Sequence, residues 1–194
     1  MKSKKSPYII IGAAIVVIAA VVLFPLQSGS SARVIQAAAG SEEKFALLSG
    51  ATTNFCAGPQ IVDAVESDRL QGSCCSAMDM HAYAEQAEGL KKYDSIDIIP
   101  SDPYDIPKEW AREMIEEDKT IVLTDEQQKI YDDAIEMSHE GGPCCCKCWR
   151  WYAYGGLAKK LITENGFTAE DVANVWNLSD GCGGAGHAEG MEPT

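Results

Sequence analysis

The sequence is short of basic side chains and of histidine. Lys and Arg together number 16 against 29 Asp and Glu, a formal net charge of −13 over 194 residues, and there are only 3 histidines. Three of the lysines (Lys2, Lys4, Lys5) lie in residues 1–32, which carry no acid, so the remainder sets 13 basic against 29 acidic groups, a net of −16. A surface this acidic repels nucleic-acid phosphates, which excludes nucleic acid as a partner, and it concentrates cations. The phosphate-loop motif GK[ST], the zinc-protease motif HExxH and the nucleophile elbow GxSxG are all missing. A c-type haem needs CxxCH, and Trp149 stands where that histidine would follow Cys148. No internal repeat is present. Acidic runs such as Glu116-Glu117-Asp118 read as a solvated face rather than as acid–base machinery.

Cysteine is what the chain has in excess. Eight cysteines accompany a hydrophobic content of 46%, enough for an ordinary core, so the cysteines are not needed merely to hold together a domain too small to fold.

The N-terminus carries an export signal. Lys2 to Lys5 precede a charge-free stretch, Tyr8 to Leu26, that would rise about 28 Å as a helix, close to the thickness of the bilayer's hydrocarbon layer. Lysines before such a segment stay in the cytoplasm, so the rest of the chain is placed outside it. Residues 1–27 are thus read as a single-pass transmembrane anchor, 28–40 as a small, polar tether and 41–194 as the extracytoplasmic domain. A cleaved signal peptide ending at Ser30-Ser31-Ala32 is the alternative, and would make the protein secreted. In either case the domain meets an oxidising compartment.

The domain reads as all-α: a small helical domain with cysteine-rich loops. Ser41 opens a helix with acids in its first turn. A second helix is expected over Gln60 to Asp68, and a longer one from a cap at Ser73 to about Tyr93. Ser95 to Pro107 is a connector broken by Pro100, Pro103 and Pro107. Glu109 to Asp118 is a short helix. Thr124 and Gln127 form a capping box for a helix reaching about Ser138. A helix from about Cys145 to Glu164 ends at Asn165-Gly166, and Thr168 caps the last one, through Trp176. Strand patterning is weak, with faint runs at Ile96–Ile99 and Thr120–Leu123.

Three constellations carry chemistry. In Cys74-Cys75-Ser76-Ala77-Met78-Asp79-Met80-His81, a helix would place Cys74, Met78 and His81 within a sector of roughly 60°. Thiolate, thioether and imidazole on one stripe suit Cu(I); a core stripe with sulfur side chains as apolar filler is the plain alternative. In Cys144-Cys145-Cys146-Lys147-Cys148, four cysteines in five residues defy explanation as packing. Cys145 and Cys148 have CxxC spacing for a metal or a redox pair, and a helix starting here would put Cys144 and Cys148 on one face. The glycine-rich tail carries Cys182 and His187, able to close over a site or to be stapled by a disulfide. Cys56 is isolated and reads as a partner for whichever cysteine is left over.

At Pro143-Cys144-Cys145-Cys146-Lys147-Cys148 the chain resembles the PCYCGC-motif family of small, membrane-attached, exported bacterial proteins. The match is the Pro-Cys-x-Cys-x-Cys spacing, with Cys145 and Lys147 at the family's tyrosine and glycine and no lipid-anchoring cysteine. The resemblance implies a helical segment after the motif, and metal binding through Cys144, Cys146 and Cys148.

The residues together predict an extracytoplasmic protein that binds copper or zinc and acts as chaperone, buffer or sensor rather than catalyst. Candidate ligands are Cys74, Cys75, Met78, His81, Cys144, Cys145, Cys146, Cys148, Cys182 and His187, and a membrane protein is a candidate partner. Two other classes stay open: a disulfide-stapled interaction domain, and a thiol–disulfide oxidoreductase built on Cys145 and Cys148.

Overall fold

A computed structural model of the chain describes residues 37–183. The stretch Tyr8–Leu26, most of the tether and His187 lie outside the described residues. Among the described residues there are seven α-helices and a single two-stranded sheet. None of these helices is long and apolar enough to cross a membrane.

The elements run in the order α1 (Glu42–Leu48), α2 (Ile61–Ala64), β1 (Arg69–Gln71), α3 (Met80–Leu90), β2 (Asp105–Pro107), α4 (Lys108–Thr120), α5 (Asp125–Met137), α6 (Trp149–Asn165) and α7 (Ala169–Leu178). Local signals fix several ends as the sequence predicts. The Ser41 hydroxyl accepts from the Lys44 N–H at 3.2 Å. Thr124 and Thr168 each form a reciprocal capping box, with Gln127 and Asp171. Gly166 ends α6 in the left-handed region at φ 66°, where a Cβ is disfavoured.

The core is organised by α6, which buries Ala153, Tyr154, Leu157, Ala158, Leu161 and Ile162. Its principal partner is α4, which presents Ala111, Met114 and Ile115 at the i, i+3, i+4 spacing of a single apolar stripe. The two helices approach closely because α6 carries Gly155-Gly156 at the crossing: a Cβ on Gly156 would lie 1.9 Å from the Met114 carbonyl oxygen. On the other side α5 packs on α7, where Tyr131 meets Trp176 edge-on with ring centroids 5.4 Å apart. The Trp176 indole donates to the Tyr154 carbonyl at 3.0 Å, so the aromatic core leaves no orphaned indole there.

Three expectations need correction. The helix predicted from Ser73 begins only at Met80, capped by Asp79, whose carboxylate accepts from the Ala82 N–H at 2.9 Å. Residues 74–76 have other partners: the Cys74 N–H donates to Gly181 and the Ser76 N–H to Cys182, at 3.1 and 2.8 Å. The helix predicted from Cys145 begins at Trp149, so the four-cysteine run precedes it and Cys148 is the cap residue. The helix expected over Gln60 to Asp68 is a single turn, because Arg69–Gln71 pairs antiparallel with Asp105–Pro107 and draws the chain out straight.

That small sheet is anchored electrostatically. Asp105 is buried between Lys44 of α1 and Arg69 of β1, ion-paired to both, and also accepts from the Gln71 side chain at 3.0 Å. Burial alone would push its carboxyl up, but Arg69 and Lys44 outweigh that and hold it below the usual carboxylate value.

Candidate metal centre

Four separate loops deliver the cysteines to one place. They precede α2, follow β1, precede α6 and follow α7, and a shared clamp fixes three of them. The Trp149 backbone N–H donates to the Ala57 carbonyl at 2.8 Å, seating the Cys56 loop against the first turn of α6. The Trp149 indole donates to the Asn54 side chain at 3.0 Å, and the Asn54 amide donates to the Gly72 carbonyl at 2.7 Å. Asn54 and Trp149 are both buried. The fourth loop is held by the ladder between residues 74–76 and 181–182, closed by Ser76 Oγ donating to the carbonyls of Cys182 and Gly183 at 3.0 Å each. Gly183, at φ 92°, lies so near the Ser76 carbonyl that a Cβ would be 2.3 Å from it.

These loops gather every cysteine of the chain into one continuous sulfur cluster. Sγ–Sγ separations are 3.0 Å for Cys145–Cys182, 3.1 Å for Cys56–Cys146, 3.6 Å for Cys74–Cys75, Cys144–Cys148 and Cys144–Cys182, and 3.9 Å for Cys74–Cys182. Four triads have all their sulfurs within 4.8 Å of one another: Cys56/Cys75/Cys146, Cys74/Cys75/Cys182, Cys144/Cys145/Cys182 and Cys144/Cys146/Cys148. A metal–sulfur bond of about 2.3 Å sets ligand sulfurs about 3.8 Å apart in a tetrahedron and about 4.0 Å apart in a trigonal plane. The triads therefore lie within reach of a single soft ion, with the Cys145–Cys182 and Cys56–Cys146 pairs closer together than that spacing. The cluster has a floor and a mouth: Cys144, Cys148 and Cys182 are buried, Cys74 and Cys146 half-buried, and Cys56, Cys75 and Cys145 exposed.

The electrostatics are set by crowding and by one buried cation. Cys148 is pulled down to about 2 by the sulfur contacts from Cys144 and Cys74, while its neighbour Cys144 is pushed far up. Contact with Cys146 raises Cys56 to about 12, and burial raises Cys145 to about 11. A metal must therefore displace protons from most of these thiols to bind. Arg150, in the first turn of α6, is 1% exposed. Its guanidinium lies 4.8 Å from the Tyr154 ring centre and 5.3 Å from that of Trp149. One terminal nitrogen donates to the Ser179 carbonyl, and the other, Nη1, has no hydrogen-bond partner among the described residues.

The structure divides the sequence-derived candidates. Cys74, Cys75, Cys144, Cys145, Cys146, Cys148 and Cys182 come together. Met78 and His81 do not join them, because the helix that would have aligned them with Cys74 does not form. Met78 packs on Leu48, Tyr83 and Tyr104. His81 has a side chain 85% exposed, facing Glu85 at 3.3 Å. The Cys145–Cys148 spacing assembles no triad, since Cys145 sides with Cys182 and Cys148 with Cys144 and Cys146. Cys144 and Cys148 meet as the shared-face argument expected, but through a turn before the helix rather than along it. Cys56 was missed as a ligand candidate; its only sequence signal is that it completes an even set.

Comparison with protein-family models, with curated proteins and with solved structures yields no match to the chain.

Proposed function

We propose that this protein binds a soft metal ion, copper or zinc, through its clustered cysteines, and serves as a chaperone, buffer or sensor rather than as a catalyst. The observation that carries the reading is the convergence of all eight thiols from four loops far apart in sequence, at metal-ligand spacing. Packing alone gives no reason for sulfur to seek sulfur so completely. In this reading the domain lies on the outer side of a membrane, supported by the apolar stretch Tyr8–Leu26 and the lysines before it. The resemblance to the PCYCGC-motif proteins at Cys144, Cys146 and Cys148 belongs with the same proposal. A disulfide-stapled domain is the second reading, favoured by the short Cys145–Cys182 and Cys56–Cys146 contacts.

The test is elemental analysis with free-thiol titration on full-length protein purified without oxygen. Stoichiometric copper or zinc, lost when Cys144, Cys146 and Cys148 are changed to serine, is the expected result. A metal-free protein with no titratable thiol would sink the proposal in favour of the stapled domain.

A further inference from the structure

The four sulfur triads are not independent, and resting on the metal-binding reading above, their connectivity says how many ions the cluster takes. Cys75, Cys146, Cys144 and Cys182 each belong to two triads, whereas Cys56, Cys74, Cys145 and Cys148 each belong to one. Followed round, the shared residues join the triads in a closed ring, through Cys75, Cys182, Cys144 and Cys146. Each triad then holds two shared sulfurs and one of its own. We infer that the site is a tetranuclear Cu(I)–thiolate cluster, with one ion in each triad, four bridging sulfurs (Cys75, Cys144, Cys146, Cys182) and four terminal ones (Cys56, Cys74, Cys145, Cys148).

The ligand count selects copper over zinc. A triad offers three sulfurs, which satisfies Cu(I), whereas structural zinc almost always takes four ligands. The charge argues the same way. Eight thiolates around four monovalent ions leave the cluster four charges negative, whereas four divalent ions would leave it neutral. Arg150 is a buried guanidinium with one nitrogen unpartnered, near enough to Cys74 and Cys144 for their charges to act on it. The Asp180 carboxylate already acts on this buried cation, and a negative metal–sulfur cluster beside it would add a second counter-charge. The binding step balances simply: four Cu(I) ions enter, every sulfur binds as thiolate, and each proton that a thiol still held passes to solvent. Eight sulfurs supply at most two protons per ion, where isolated three-sulfur sites supply up to three.

The experiment is an anaerobic titration of the reduced full-length chain with Cu(I), given as a labile complex and followed by native mass spectrometry, proton release and X-ray absorption. The expected result is a plateau at four ions per chain, no more than two protons released per ion and a short metal–metal scattering path. Two exposed cysteines give matched variants that spare the core. Cys56→Ser removes a terminal sulfur from one triad and should lower the plateau to three. Cys75→Ser removes a bridging sulfur from two triads and should lower it to two. A wild-type plateau other than four, no metal–metal path, or equal losses in the two variants would overturn the tetranuclear ring while leaving metal binding intact. Failure of the wild-type chain to bind any metal would overturn the binding reading itself.

Discussion

Asn54→Ala should unfold the protein's sulfur centre without touching a sulfur. Asn54 is 6% exposed and serves two partners, accepting from the Trp149 indole at 3.0 Å and donating to the Gly72 carbonyl at 2.7 Å. Alanine leaves both without a partner in a buried place, and each orphaned group costs about 1–3 kcal/mol. The expected destabilisation is therefore about 2–6 kcal/mol, a large part of the roughly 5–15 kcal/mol that holds a typical domain together. With a urea slope of about 2 kcal/mol/M, the unfolding midpoint of the metal-free, reduced protein should fall by about 1–3 M. Because the same side chain joins the Cys56 loop, the Gly72 turn and the start of α6, copper affinity should fall in parallel, and added metal should recover part of the lost midpoint by mass action. Circular dichroism in urea, with and without copper, measures both. A midpoint shift under about 0.3 M would refute the idea that this clamp positions the site.

Three other outcomes follow from the geometry. Asp105 has a folded pKa below its unfolded one, so its stabilising contribution is complete above the unfolded value of about 3.9 and is lost as pH falls through the lower folded value. Urea midpoints should therefore decline as pH drops below about 4, and Asp105→Asn should remove that part of the decline; an identical acid limb in the variant would count against the assignment. Gly156→Ala should cost about 1–3 kcal/mol or more, since its Cβ meets the Met114 carbonyl oxygen at 1.9 Å in a helix crossing with no space to give; unchanged thermal stability would show that the α4–α6 crossing relaxes freely. Arg150→Met should act with opposite signs on the two forms. The metal-free protein loses a buried, half-partnered charge and should hold or gain stability, while the copper-loaded protein loses its counter-charge and should gain less from metal than wild type does. Melting curves with and without Cu(I) read this directly, and equal gains from metal in both proteins would refute it.

The parts legible in the sequence were those whose causes lie within a few residues. The caps at Ser41, Thr124 and Thr168 and the glycine stop at Gly166 are local chemistry, and they set helix ends where the sequence places them. The apolar stripe of α4 is equally local. Ser73 looked like a competent cap, but the amides after it are claimed by carbonyls about a hundred residues away, and nothing near Ser73 records that. β1 and β2 are three residues each, too short for alternation to register, and they exist because Asp105 ties them to Arg69 and Lys44. The same holds for the site. The density of cysteine at 144–148 marked it as chemical, but Cys56 enters only through the Trp149–Ala57 and Asn54 contacts, and Met78 and His81 leave only because a helix starts at Met80.

Cys182 gives the sulfur cluster a second consequence. It follows α7 by a few residues, belongs to two of the triads, and sits more than a hundred residues along the chain from Cys56 and Cys74. A filled cluster would therefore act as a non-covalent crosslink closing very long loops, restricting the unfolded ensemble much as a disulfide does but releasable by a chelator. Metal occupancy should therefore be readable from outside as protease resistance and slowed amide exchange at the end of α7.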